Sequence, residues 1–248
     1  MVRDLLVRGM LAGILAAVLV TLFARVVAEP QVDLAIAYEA SHAAHEAHDM
    51  PGMVTTEDPE LVSRTTQKGL GLLTALTLYG AAVGGIFALV FALVYGRAAS
   101  SGPRSLALLL AIGAFIAIAL VPALKYPPTP PAVGQHETVA FRTVAYFSMI
   151  ALSLVAMVIA VKISRLLSGR LGSFNAALIS VAGYIAIVTA VQFALPAIDE
   201  VPADFPAVVL WNFRVAAIAL QLALWVVIGV VFGAVADRRL RRSASRSR

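Results

Sequence analysis

The chain contains no cysteine, which removes disulfides, thiolate metal sites and thiol nucleophiles together. Any metal it handles must meet nitrogen, oxygen or thioether donors. Charge is scarce too. Only 13% of the 248 residues are Asp, Glu, Lys or Arg, about half the usual share for a water-soluble domain. No GxSxG or HExxH spacing occurs to support a membrane-embedded hydrolase. No GxxxxGK[ST] loop is present to cradle a nucleotide, so energy from ATP would need another protein.

What is abundant is apolar: 60% of residues are hydrophobic. They gather in runs long enough to cross about 30 Å of hydrocarbon as helices. The pattern predicts an all-α, polytopic membrane protein with six transmembrane helices in one membrane domain over residues 1–248. The spans fall at about 9–28, 69–95, 105–124, 138–161, 173–195 and 208–236. Val26-x-Ala28 resembles a signal-peptide cleavage site, but the first run is long for such a peptide and Arg25 interrupts its end, so a retained helix is the preferred reading. Four prolines between 127 and 131 cannot continue a helix.

Thirteen of the 19 Lys and Arg residues lie in the N-terminal lead, the turns near 97–104 and 162–170, and the tail at 237–248. Those segments are expected to face the cytoplasm, with both termini inside. Of the acidic residues only Asp4 and Asp237 share that side. The net charge of +5 is then explained by orientation in a lipid bilayer, and no nucleic-acid partner is expected.

The segment 29–68 is expected to be an extracytoplasmic His/acidic loop. Within it, Ser41 to Met53 reads SHAAHEAHDMPGM and holds three of the four histidines. If the stretch is helical, His42, His45, Glu46 and Asp49 share one face, Glu39 falls beside them and His48 lies off it. Imidazoles and carboxylates on one face are donors for a divalent transition metal, with Met50 and Met53 just beyond. A solvated surface helix with idle histidines is the other reading of these residues. His136 is a candidate further ligand. No resident cofactor is expected.

Each inward-running span opens with an arginine: Arg64 before the second, Arg142 before the fourth and Arg214 before the sixth. Three repeated hairpins would account for this. Gly9 and Gly13, Gly80 and Gly84, and Gly229 and Gly233 form small-xxx-small pairs suited to close helix contact. A charge at the apolar boundary is costly enough to need a partner. Glu137, Asp199, Glu200 and Asp204 are the nearest acids for Arg142 and Arg214. Lys125, Arg142, Asp199, Glu200, Asp204 and Arg214 are accordingly candidates for an entrance through which a cation passes, or for ion pairs that pin the loops.

Three blocks carry a resemblance to a known family. LKYPPTPPAVG followed by Arg142, DEVPADFPAVVLWNFR from Asp199 to Arg214, and LVSRTTQKGLG resemble the CbtA family of cobalt transporter subunits. The resemblance implies uptake of Co²⁺ across the bacterial inner membrane for cobalamin synthesis, with a small single-span, histidine-rich CbtB partner. It also implies five spans, against the six counted from hydropathy. The expected function is the membrane subunit of a divalent-cation uptake transporter, cobalt being taken from the resemblance. A non-transporting assembly or metal-buffering protein is the alternative, and self-association into a homo-oligomer is left open.

The orientation is testable because the native chain has no thiol. Single cysteines at Ala43, Gly134 and Ala203 should react with an impermeant thiol reagent in intact cells, whereas those at Ser101 and Ser243 should not. External labelling at Ser243 would overturn the even span count.

Overall fold

A computed structural model describes residues 2–49, 62–96, 102–131 and 133–246, with side chains described outside 43–49, 136 and 242–246. Among these residues every regular element is helical. The main ones are α1 (Val2–Val27), α2 (Glu29–Asp49), α3 (Arg64–Val94), α4 (Pro103–Lys125), α5 (Val139–Ala194) and α6 (Ala207–Arg246). All but α2 are long and apolar enough to cross a membrane.

Only Ala28 separates α1 from α2. Pro30 sits in the first turn of α2, where its missing N–H costs nothing. The Ser63 hydroxyl accepts from the Thr66 N–H at the start of α3, meeting one of the donors a helix start leaves open. One π turn, Gln67–Gly71, opens α3 and another, Phe115–Leu120, interrupts α4. The second runs directly up to Val121-Pro122, where the proline cannot donate to the carbonyl four residues back.

α5 has 56 residues, which as one straight rod would measure about 84 Å at 1.5 Å per residue, far beyond the hydrocarbon thickness of about 30 Å. It is broken at Gly172, whose φ of 78° and ψ of 158° are not helical. That break divides α5 into 139–171 and 173–194, each long enough at 1.5 Å per residue to cross about 30 Å of hydrocarbon. The basic turn read at 162–170 is itself helical, and the break falls just after it.

The chain divides into two compact units, one of Met1–Ile112, Pro130–Ala132 and Phe205–Arg248, the other of Gly113–Thr129 and Val133–Asp204. In the first, α1 packs chiefly on α3 and next on α6. Gly9 and Gly13 face Gly84 and Gly80 so closely that a Cβ at any of the four would overlap a backbone oxygen of its partner. Such approach is available only to glycine and lets two backbones touch. α6 meets α4 by the same device: a Cβ at Gly229 would stand 2.7 Å from the Ala111 Cβ, and one at Gly233 would stand 3.1 Å from the Ala107 Cβ. Phe87 and Phe91 pack edge-on against Phe232, with centroids 5.4 and 5.1 Å away.

Ion pairs hold the helix ends of this unit. Asp4 lies between Arg8 (3.3 Å) and Arg239 (2.7 Å). Asp237, with 5% of its side chain exposed, lies between Arg104 and Arg241, each at 3.0 Å. The tail arginines therefore do more than orient the chain. At the α1–α2 end, Glu29 pairs with Arg64 (2.9 Å), and Asp33 pairs with Lys68 and, at 3.5 Å, with Arg64. Acids four apart on α2 thus meet bases four apart on α3.

In the second unit, Met149, Ala156 and Ala160 on the first half of α5 pack against Tyr184 and Val188 on the second, with Val121 of α4. The Ser153 and Tyr184 hydroxyls lie 2.9 Å apart. In hydrocarbon such a bond contributes about 0.6 kcal/mol on average. Gln192 donates to the Val121 carbonyl at 3.4 Å.

The glycine contact predicts a graded response. Gly13→Leu or Gly84→Leu should force α1 and α3 apart and lower stability by about 1–3 kcal/mol or more, seen as a lower melting midpoint in detergent. Gly183→Ala, where a Cβ meets nothing within 4 Å, should stay within about 0.5 kcal/mol of the parent.

Candidate metal-handling site

The α2 backbone is helical through Asp49. At about 100° per residue it sets residues 42, 45, 46 and 49 in one arc, with 39 beside it and 48 off it. The side chains of His45, Glu46, His48 and Asp49 lie outside the described residues, as do Met50 and Met53. Glu39 is exposed and His42 half-buried. The His42 ring stacks on Tyr38 with centroids 4.0 Å apart, and its Nδ1 lies 3.1 Å from the Tyr38 carbonyl oxygen. A carbonyl only accepts, so Nδ1 carries the proton in this contact. Tyr38 meets the ring of Phe205 edge-on at 4.9 Å, and Phe205 is buried. Through these two rings α2 rests on the residue that follows Asp204. Among the described residues no group of three or more His, Cys, Asp or Glu converges to hold a metal.

In the second unit the proline-rich loop and the acidic loop form a clasp. The Glu200 carboxylate accepts from the Gln135 backbone N–H at 3.0 Å and lies 3.4 Å from Arg142 Nη1. Arg142 Nη2 also donates to the Gln135 carbonyl at 3.2 Å. Gly134 has a φ of 117°, and Arg142 Cζ lies 2.9 Å from where its Cβ would stand, so another residue there would strain the backbone and displace the guanidinium. The Tyr126 hydroxyl donates to the Pro196 carbonyl at 2.9 Å. Lys125 Nζ stands 6.0 Å from the Tyr126 ring centroid, at the outer limit of a cation–π contact. The Thr138 side chain, then the Gln135 amide, hold the Glu200 carboxyl below the usual glutamate range; partial burial opposes them and the Arg142 charge adds to them.

Asp199, Asp204 and Glu137 are exposed. His136 begins the short 3-10 turn His136–Thr138, and its side chain is outside the described set. Of the two arginines expected to find acidic partners, Arg142 meets Glu200, while Arg214 makes no ion pair among the described residues. The three arginines of the repeat share one further property: the Nε of Arg64, of Arg142 and of Arg214 is buried without a hydrogen-bond partner among the described residues.

Sequence reasoning passed over Glu29, Asp33, Tyr38 and Gly134. The first two carried a usable signal, acids at i and i+4 matched by bases at i and i+4 on the next helix. Gly134 ends a proline run, where a positive φ is common. Nothing in the sequence marks Tyr38 as the seat of His42.

Glu200→Gln should lower the thermal midpoint, because Arg142 loses its anion. A carboxyl held below its usual range adds stability that is present above that range and is lost as the pH falls through the lowered value. The gap between parent and variant should therefore be widest near neutral pH and close in acid, as followed by thermal unfolding at a series of pH values.

No curated protein and no solved structure matches the chain. The family model described as "Probable cobalt transporter subunit (CbtA)" matches residues 2–237, a stretch that runs from α1 into α6 and takes in both loops of the clasp. That match covers nearly all of the 248 residues, and the chain accordingly belongs to the CbtA family.

Proposed function

We propose that the chain is the membrane subunit of a divalent-cation uptake transporter that collects Co²⁺ on the outer side of a bacterial inner membrane. Both termini then face the cytoplasm. α2 is the collecting element, and the helical register that brings residues 42, 45, 46 and 49 into one arc is the observation that carries this reading. Imidazole nitrogen and carboxylate oxygen suit a late first-row divalent ion, and selectivity beyond that class needs geometry rather than affinity order. In His42 the Nδ1 contact with the Tyr38 carbonyl orients the ring, as such a bond does behind a metal-ligating histidine. Glu39, His45, Glu46, His48 and Asp49 complete the donor set, and His136 with the exposed Asp199 and Asp204 receives the ion at the loops.

The chain works as a subunit and not as an enzyme. A small single-span CbtB-like protein is its partner, and the driving force comes from outside this chain. Glu200 serves the clasp, since its carboxylate is already taken by Arg142 and Gln135.

Imidazoles coordinate only when neutral, so with an ordinary pKa of about 6.5 Co²⁺ affinity should weaken as the pH falls from about 6.5 to 5. Changing His42, His45 and His48 together to Ala should leave the helices folded. It should reduce radiolabelled Co²⁺ uptake chiefly at low external metal, where capture limits the rate. The measurement uses cells lacking other cobalt importers, with and without a CbtB-like partner. Parent-like uptake by the triple variant at every concentration would remove α2 from the mechanism.

A further inference from the structure

A cleft of about 450 Å³ opens where α1 gives way to α2 beside the start of α3, lined by Arg25, Glu29, Pro30, Asp33, Lys68 and Gly69 among others. Its two carboxylates are engaged. Glu29 holds Arg64 at 2.9 Å, and Asp33 holds Lys68 and, at 3.5 Å, Arg64. Arg25 is exposed, and among the described residues no carboxylate pairs with it. Among the described residues three cations thus answer two anions, and the positive charge left over is the one on Arg25. A divalent cation entering here would meet that charge and would have to break the α2–α3 ion pairs. An anion meets neither obstacle.

The setting narrows the anion. Val26 and Leu70, the sequence neighbours of Arg25 and Gly69, are 75% and 72% exposed. They belong to the apolar surface of membrane-crossing helices, so the cleft lies where such a surface gives way to polar side chains. A free phosphate would leave most of the volume empty. A phosphodiester continuing into glycerol and acyl chains would fill it beside Pro30 and Gly69 and lay its chains on Val26 and Leu70. We propose that this cleft binds the phosphate of an anionic phospholipid, with Arg25 as the cation that meets it.

The test uses the purified full chain without Co²⁺, so that its outcome is independent of the transport reading. Native mass spectrometry would count phosphatidylglycerol against phosphatidylcholine retained per chain. The parent should hold one phosphatidylglycerol in preference. Arg25→Gln should weaken that binding about fivefold, the loss expected for one basic residue at an anionic surface, and Arg25→Lys should keep most of it. Gly69→Leu leaves every charge in place, and its Cβ meets nothing within 4 Å. It should fill the cleft and weaken binding to a similar degree, which decides the matter if an Arg25 variant folds poorly. Equal retention by the parent and Gly69→Leu would overturn the proposal. So would displacement of the lipid by millimolar inorganic phosphate, which would assign the cleft to a soluble anion.

Discussion

Apolar side chains gain little from one another in hydrocarbon, so membrane helices are held by how closely their backbones approach and by the polar groups they satisfy. In the first unit the closest approach is that of α1 to α3 at Gly9, Gly13, Gly80 and Gly84. Helices are stiff, and a crossing fixed near mid-length fixes both ends. Arg64 and Lys68 stand against Glu29 and Asp33 because α3 is anchored to α1 about three to six turns further along. Asp4 reaches Arg239 on α6 from the other end of the same α1. A side chain larger than hydrogen at the crossing would disturb contacts that it never touches.

The helix ends then use charge with economy. Asp4 and Asp237 each sit between two arginines, which joins α1, α4 and α6 and leaves the surrounding surface positive. For Asp237, with 5% of its side chain exposed, the arrangement is close to obligatory, since a carboxylate removed from water needs its counter-ions beside it. The clasp of the second unit follows the same logic with one carboxylate. Glu200 joins a backbone amide and a guanidinium, and so ties together two loops whose prolines cannot supply regular hydrogen bonding.

These constraints bear on metal handling through what they leave over. Glu29, Asp33 and Glu200 are structural anions, each committed to a base. α2 is held at its start by ion pairs and further along by Tyr38 on Phe205. A segment tethered in this way has fewer conformations left to lose than a free loop would.

Much of the architecture was readable in advance. Long apolar runs must become helices because hydrocarbon offers no partner for a backbone N–H or carbonyl, and that rule needs no tertiary information. The break between the fourth and fifth spans was readable as a turn, but its place at Gly172 rests on a positive φ that hydropathy does not register. Spacing suggested that Gly9 and Gly13 meet another helix. It could not say that the helix carries Gly80 and Gly84, because any small-xxx-small pair presents the same surface. Likewise Glu137 lies nearest to Arg142 along the chain, and only the folding of one loop over another selects Glu200 instead. The sequence by itself determined which segments are apolar enough to cross a membrane, since solvation acts on single residues and their near neighbours. The tertiary structure decided which charges are spent on one another and which remain, because apart from Asp4–Arg8 and Asp237–Arg241 the ion pairs join residues 31 to 235 positions apart, and only the packing of one element on another sets those distances.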